Sequence, residues 1–420
     1  MTTSAPLKTG PLALGLRMFS SLKNPSYRLY YFGTLAHYAA MSMQIVTNPL
    51  LIYRLTDSPA LLGTLSLVGA APMIGISVFG GAFADRLRKK NILITGMSCF
   101  AVVSLGVGLA LSSGSLSREN PGSWWILIVA SLIQGLIMGM MMPALQAIIP
   151  EIVNRDQLMN AIAMNTMGMN TLSLMAPAIA GFIIGDSSNF KAVYFTVAGL
   201  YVMAMLFLLF IPSRSKITAT GNNILADIQQ GFRYIRKDKA ILFILVFTLI
   251  VVVLSMPYQQ LMPIFVDDIL KVGAPGMGML MSASGAGALI GSLILAAMPN
   301  KKRGILLLGS GIIVGIALTV FSFSSYMGLS LVFIFFVGLG QAFRQTIGSV
   351  LVQTYTQDAY MGRVMSILNM QWGLMSVCTF LAGMLAEFLK VQWVLGSLAI
   401  LLSVVSLAFM VSSPNIRKIE

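Results

Sequence analysis

Gly80-Gly81-Ala82-Phe83-Ala84-Asp85-Arg86-Leu87-Arg88-Lys89-Lys90 decides how this chain reads. An apolar run over 60–84 precedes it and another over 91–112 follows it. About 20 apolar residues cross a bilayer as a helix. One acid and four bases between two such runs therefore make a membrane hairpin. Its turn faces the cytoplasm, because basic loops resist translocation. The glycines let the two helices approach closely. Asp85 stands where it can meet the positive end of a neighbouring helix, or an arginine, and hold one face of the bundle shut.

Composition agrees with that reading. The 420 residues are 57% hydrophobic and 10% charged, where soluble domains carry about a quarter charged residues. Such a chain cannot cover a water-facing surface, so the lipid bilayer is its expected partner. The net charge of +14 would suit nucleic acid, but the bases lie in loops between apolar runs with no aromatic-basic platform, which excludes that partner. Cys99 and Cys378 both fall inside apolar runs and there is one histidine, so neither a disulfide framework nor a metal or cofactor site is expected. Residues 1–26 hold no compact apolar stretch ending in a cleavage site, and the first span is expected to target the chain.

Twelve spans are expected, near 29–53, 60–84, 91–112, 124–149, 158–185, 191–212, 240–264, 274–299, 304–325, 327–354, 364–387 and 391–413. Charge tests the count. With both termini cytoplasmic, the inner loops and tails hold 21 of the 27 Lys and Arg and the outer loops hold 5. Arg344 alone lies inside a span. One span more or fewer would scramble that separation. The expected location is thus a cell membrane, with the chain monomeric and multi-pass.

The interruption over 213–239 divides the chain into halves at 1–212 and 240–420. Within it Ile224, Leu225, Ile228, Phe232 and Ile235 recur at helical spacing, which predicts an amphipathic helix on the inner membrane surface with Asn223 as its cap. The loop at Lys89-Lys90 has a counterpart at Lys301-Lys302-Arg303, and the loop at 155–159 has one at 361–365. Such correspondence is what a duplicated six-helix unit predicts.

In the opening loop, Gly81, Asp85, Arg86, Lys89 and Lys90 fill places of the pattern Gly-x-x-x-Asp-Arg-x-Gly-Arg-Lys, with Arg88 at the second Gly place. On those residues the chain resembles the major facilitator superfamily. The resemblance implies twelve transmembrane helices in two pseudo-symmetric six-helix halves, a central cavity lined by spans one, four, seven and ten, and alternating access. Asn24-Pro25-Ser26-Tyr27-Arg28, Pro150-Glu151-Ile152-Val153, Gly231-Phe232-Arg233-Tyr234-Ile235, Met262-Pro263-Ile264-Phe265 and Gly362-Arg363-Val364-Met365-Ser366 resemble the exporter branch that contains enterobactin and macrolide efflux proteins. Ala176-Pro177-Ala178-Ile179-Ala180-Gly181 is similar to a degraded antiporter motif and is expected to seal the inner side.

The expected gate joins Gly81, Asp85, Arg86, Lys89 and Lys90 with the pairs Glu151–Arg155 and Asp358–Arg363. Polar residues in lipid are costly and usually face a cavity or a partner helix. The substrate-binding candidates on that ground are His37, Gln44 and Asn48 on one face of span one, Gln134 in span four, and Asn165 and Asn170 in span five. Gln259 and Gln260 follow Pro257 in span seven, where proline softens the helix. Gln341, Arg344 and Gln345 share a face of span ten. For each Gln or Asn, helix–helix hydrogen bonding is the competing role. No carboxylate lies mid-membrane, so His37 and Asp85 are the candidates to carry protons. Thirty methionines suit a pocket for varied apolar cargo. The expected function is export of a small amphipathic molecule, with proton antiport left open. An importer of a small organic solute is the alternative. A membrane enzyme lacks a Ser/His/Asp set or paired intramembrane acids, and a sensor lacks a signalling segment.

Overall fold

A computed structural model describes residues 20–86, 88–185, 188–212, 230, 233–236, 238–298, 302–357 and 360–412, with the side chains of 20, 77–86, 146, 155, 156, 362, 366, 369 and 372 outside that description. The first half contains α1 Pro25–Thr56, α2 Pro59–Arg86, α3 Lys89–Ser112, α4 Trp125–Ile152, α5 Arg155–Ile184 and α6 Phe190–Leu209. The second contains α7 Lys239–Ser255, α8 Pro257–Ile264, a π-turn Phe265–Ile269, α9 Gly273–Ala297, α10 Arg303–Phe323, α11 Met327–Tyr355, α12 Met361–Asn369, α13 Gln371–Phe388 and α14 Val391–Ser412. Span seven is α7, α8 and the π-turn; spans eight to ten are α9 to α11; span eleven is α12 and α13; span twelve is α14. Among the described residues ten helices are long and apolar enough to cross a membrane on composition alone. α1 and α12–α13 complete the set of twelve.

Local chemistry sets the ends of these helices. The Asn24 side chain accepts from the backbone N–H of Ser26 and Tyr27, and Pro25 occupies the first helical position, so the motif ahead of span one is a helix start. Asp57 closes α1 in the left-handed region, φ 50°. Asp238 caps α7 through the N–H groups of Ala240 and Ile241. The spans run a few residues beyond the expected limits at both ends of α1, and two of them are broken. Span seven bends at Met256, before Pro257, where proline frees a carbonyl. Span eleven bends at Met370.

Packing repeats with an offset of six. Within the first half the main partners are spans one with five and six, two with four, and three with four and six. Within the second they are seven with eleven and twelve, eight with ten, and nine with ten and twelve. Each pair recurs as its counterpart plus six, the arrangement a duplicated unit gives. Two seams join the halves, span five against eight and span two against eleven.

Glycine permits the closest approaches. A Cβ on Gly135 would lie 2.0 Å from the Gly69 carbonyl oxygen, and one on Gly287 would lie 1.9 Å from that of Phe335. At the seams Gly181 faces the Ala274 carbonyl at 2.5 Å and Gly63 faces Phe380 Cα at 2.8 Å. The Pro177–Gly181 stretch therefore packs on span eight near the end of α5 opposite the basic loops. The expectation that it seals the basic side is corrected: it tightens the other end. Most of the expected amphipathic segment, including Asn223 and Phe232, lies outside the described residues. Its end is described: Tyr234 stacks on Tyr360 with centroids 4.3 Å apart.

Candidate functional site

The stripe His37, Gln44, Asn48 shares one face, as the spacing requires, but that face turns inward onto spans three and six. Gln44 receives a hydrogen bond from the Tyr201 hydroxyl at 2.9 Å and donates to Ser104 at 3.3 Å. The Tyr194 hydroxyl donates to Asn48 at 2.7 Å. His37 is buried among the rings of Tyr38, Phe100 and Tyr201, 5.6–6.1 Å away, and neither ring nitrogen has a hydrogen-bond partner. The reading of these three as cavity residues is thus redirected to the packing of the first half. The inward face is accommodated because two tyrosines of span six, Tyr194 and Tyr201, bring hydroxyls to Asn48 and Gln44.

The adjoining strip of α1, about a fifth of a turn round, carries Thr34, Tyr38, Met41 and Ile45 at helical spacing. Met41 and Ile45 are exposed, about half a turn from exposed Phe32. Asn165 of span five joins that side, accepting from the Thr34 hydroxyl at 3.2 Å and donating to the Tyr38 hydroxyl at 3.4 Å. Gln134 and Asn170 are half-buried in spans four and five.

In the second half, polar side chains converge at mid-membrane. Arg344 is 1% exposed. Its Nε donates to Gln341 Oε1 at 2.9 Å and its Nη1 to Gln371 Oε1 at 3.5 Å, while Nη2 has no partner. Gln341 Nε2 in turn donates to the Ser255 hydroxyl at 2.6 Å. Ser255 ends α7 and Gln371 opens α13, so both helix breaks meet this cluster. Gln345, expected beside them, is exposed instead, together with Thr346 and Gln353. Gln345 lies about half a turn, and Thr346 and Gln353 about a quarter turn, from the exposed apolar stripe Leu329, Val332 and Phe336. Gln259 donates to the Tyr258 hydroxyl at 3.4 Å, and Gln260 keeps a buried, unpartnered Oε1.

At the basic end Lys89 pairs with Glu151, one member of the expected Glu151–Arg155 pair. Lys90 donates to the carbonyls of Leu209 and Ile211 at 2.8 and 2.6 Å and so caps the end of α6. Arg363 lies 5.5 Å over the Tyr360 ring. The side chains of Gly81, Asp85, Arg86 and Arg155, and the whole of Asp358, lie outside the described residues.

The opposite end holds a clamp between the halves that the sequence reading did not anticipate. Arg54 binds Asp267 through Nε and Nη2 at 2.8 and 2.9 Å, a bidentate pair. Its Nη1 donates to the Ser188 hydroxyl at 2.9 Å. The Tyr53 hydroxyl donates to Asp268. The π-turn presents both acids to the end of α1, a use typical of such turns. On the other seam Glu387 accepts from the Ser58 hydroxyl and the Ala60 N–H, each at 3.0 Å. A signal existed: few bases occupy that end, and Arg54 faces the only adjacent acid pair in the chain.

Duplicated six-helix halves, two seams and broken helices around a mid-membrane polar cluster describe a membrane transporter. The Major Facilitator Superfamily model matches residues 30–378, and the chain belongs to that family. It is similar to macrolide efflux protein A of Streptococcus pyogenes, 23% identical over 400 residues, covering 91% of this chain and 96% of that protein. It is also similar to the enterobactin exporter EntS of Shigella boydii serotype 4, 25% identical over 352 residues, covering 83% and 82%. Among solved structures, a POT family transporter in complex with 5-aminolevulinic acid aligns with a TM-score of 0.73 at 12% identity, covering 98% of each chain. The nucleoside transporter NupG aligns at 0.69 and 13%, covering 94% and 100%. At such identity these structures establish the fold. The family and its relatives are transporters, not enzymes.

Proposed function

We propose that the protein exports small amphipathic molecules across the cytoplasmic membrane by alternating access, the halves 1–212 and 240–420 rocking about the two seams. The offset-six packing carries this reading, because symmetry-related seams let one rigid half tilt on the other. The efflux relatives support export, and the asymmetry of loop charge supports a cytoplasmic basic end. On that orientation Arg54–Asp267, Tyr53–Asp268 and Glu387 with Ser58 form the outer gate. The loop of Gly81, Asp85, Arg86, Lys89 and Lys90, with Glu151 and Arg363, forms the inner one. Exposed Gln345, Thr346 and Gln353 of span ten, with Met41, Ile45 and Tyr38 of span one, line the path. Amphipathic cargo of the macrolide or siderophore kind fits such a mixed surface.

Everted membrane vesicles with a fluorescent hydrophobic dye, with and without an imposed pH gradient, test both function and coupling. Uptake by vesicles containing the protein, above that of empty vesicles, is expected. Proton antiport predicts that dissipating the gradient stops it. Dye movement equal to that of empty vesicles contradicts export.

A further inference from the structure

A guanidinium at the centre of a membrane protein needs a negative partner. Placing Arg at a helix centre is costly even on insertion scales, and buried charges are normally paired. Arg344 forms none of the ion pairs found among the described residues, which are Arg54–Asp267, Lys89–Glu151 and Arg118–Asp57. Its oxygen partners are the neutral amides of Gln341 and Gln371. Among the described residues the acids from α7 onward stand at the span ends: Asp238 caps α7, Asp267 and Asp268 lie in the clamp, and Glu387 closes α13. Asp358 follows the end of α11 at Tyr355. The helical rise puts Tyr355 about 16 Å along the axis from Arg344.

The cluster is also built to hold the cation in one pose. Gln341 is fixed by Ser255, so its Oε1 is presented to Nε; Gln371 meets Nη1; Nη2 is left bare at 1% exposure. A guanidinium held at Nε and Nη1 with Nη2 alone unpaired offers a compact oxyanion or halide one fixed, charge-assisted donor. Gln341 and Gln371 each keep 9% exposure, so a thin layer separates the fork from the surface. The free Nη2 belongs to the cluster where the breaks of spans seven and eleven converge, and binding sites in transporters of this construction form at discontinuous helices.

We infer that Arg344 Nη2, with the amides of Gln341 and Gln371 as its frame, is a binding site for a compact monoanion. The anion is a carboxylate of the cargo or a free inorganic ion. The carboxylate alternative rests on the transport reading above; the binding itself does not.

Thermal unfolding of the full-length protein in detergent tests it. Sodium gluconate is replaced by sodium chloride or sodium formate at constant ionic strength. Chloride or formate should raise Tm saturably relative to gluconate. The rise should vanish in Arg344→Gln and persist in Arg118→Gln, which removes an exposed pair. Identical melting in all three salts, or a response retained by Arg344→Gln, overturns the site. Should Arg344→Gln fail to fold, Arg344→Lys decides. A point charge without the fork should shift half-saturation to higher salt, and an unshifted response places the anion elsewhere.

Proteoliposomes separate the sources, using dansyl-phenylalanine and its methyl ester. A chloride requirement for the ester identifies the free ion. A loss of about tenfold or more for the acid in Arg344→Gln, with the ester spared in chloride-free buffer, identifies the cargo's carboxylate. Intact transport without any anion response defeats the site alone. A full anion response without transport defeats the transport reading alone.

Discussion

Two buried polar residues on one face of span one are accommodated in different ways. Gln44 satisfies the Tyr201 and Ser104 hydroxyls inside the first half. Gln44→Leu should therefore lower Tm, because removing it strands a buried hydroxyl at about 1–3 kcal/mol. Transport per folded molecule should be unchanged, as a dye assay normalised to folded protein checks. His37 makes no hydrogen bond and sits in an aromatic cage. A positive charge there would meet no counter-charge among the described residues. His37→Phe should accordingly leave the response of transport to a pH gradient intact; loss of that response alone would make His37 the proton carrier. Arg344 was legible as exceptional from its position alone, since no other base falls inside a span. Gln341 beside it was legible from spacing, but Gln371 and the Ser255 that anchors Gln341 were not, because both are remote in sequence and neither residue type announces a break.

At the scale of elements, glycine contacts sort into those within a half and those across a seam. Gly135 lies against Gly69 within the first half, and Gly181 lies against Ala274 across the seam. Gly135→Val should cost stability in every conformation, read as reduced Tm and yield. Gly181→Ala should instead disfavour the state with the Arg54 end closed, read as faster thiol labelling of a cysteine introduced at Ser188 with little change in Tm. The number of spans and their pairing with charge were readable because hydropathy and loop bases vary along the chain. The face each span presents was not. A helix between lipid, cavity and two neighbours is apolar nearly all round, and the same i, i+7 spacing that groups His37 with Gln44 does not say which neighbour they meet. The breaks had one clue of two: Pro257 marks the first, whereas Met370 carries no comparable residue.

For the molecule as a whole, the repeated packing makes two tilts of equivalent halves accessible to one set of seams. The clamp gives one of them a polar lock of moderate strength. The Arg54 and Asp267 side chains are 23% and 20% exposed, so water can take over their hydrogen bonds when the halves part. A deeper pair would be slower to release. The account requires that this end open in each turnover. The direct test is a cysteine pair, Arg54→Cys with Asp267→Cys, in a background with Cys99 and Cys378 changed to serine. Cross-linking the pair with a short bifunctional methanethiosulfonate, which spans the gap the two side chains leave, should stop dye transport, and reduction should restore it. Undiminished transport by fully cross-linked protein would contradict alternating access through this gate.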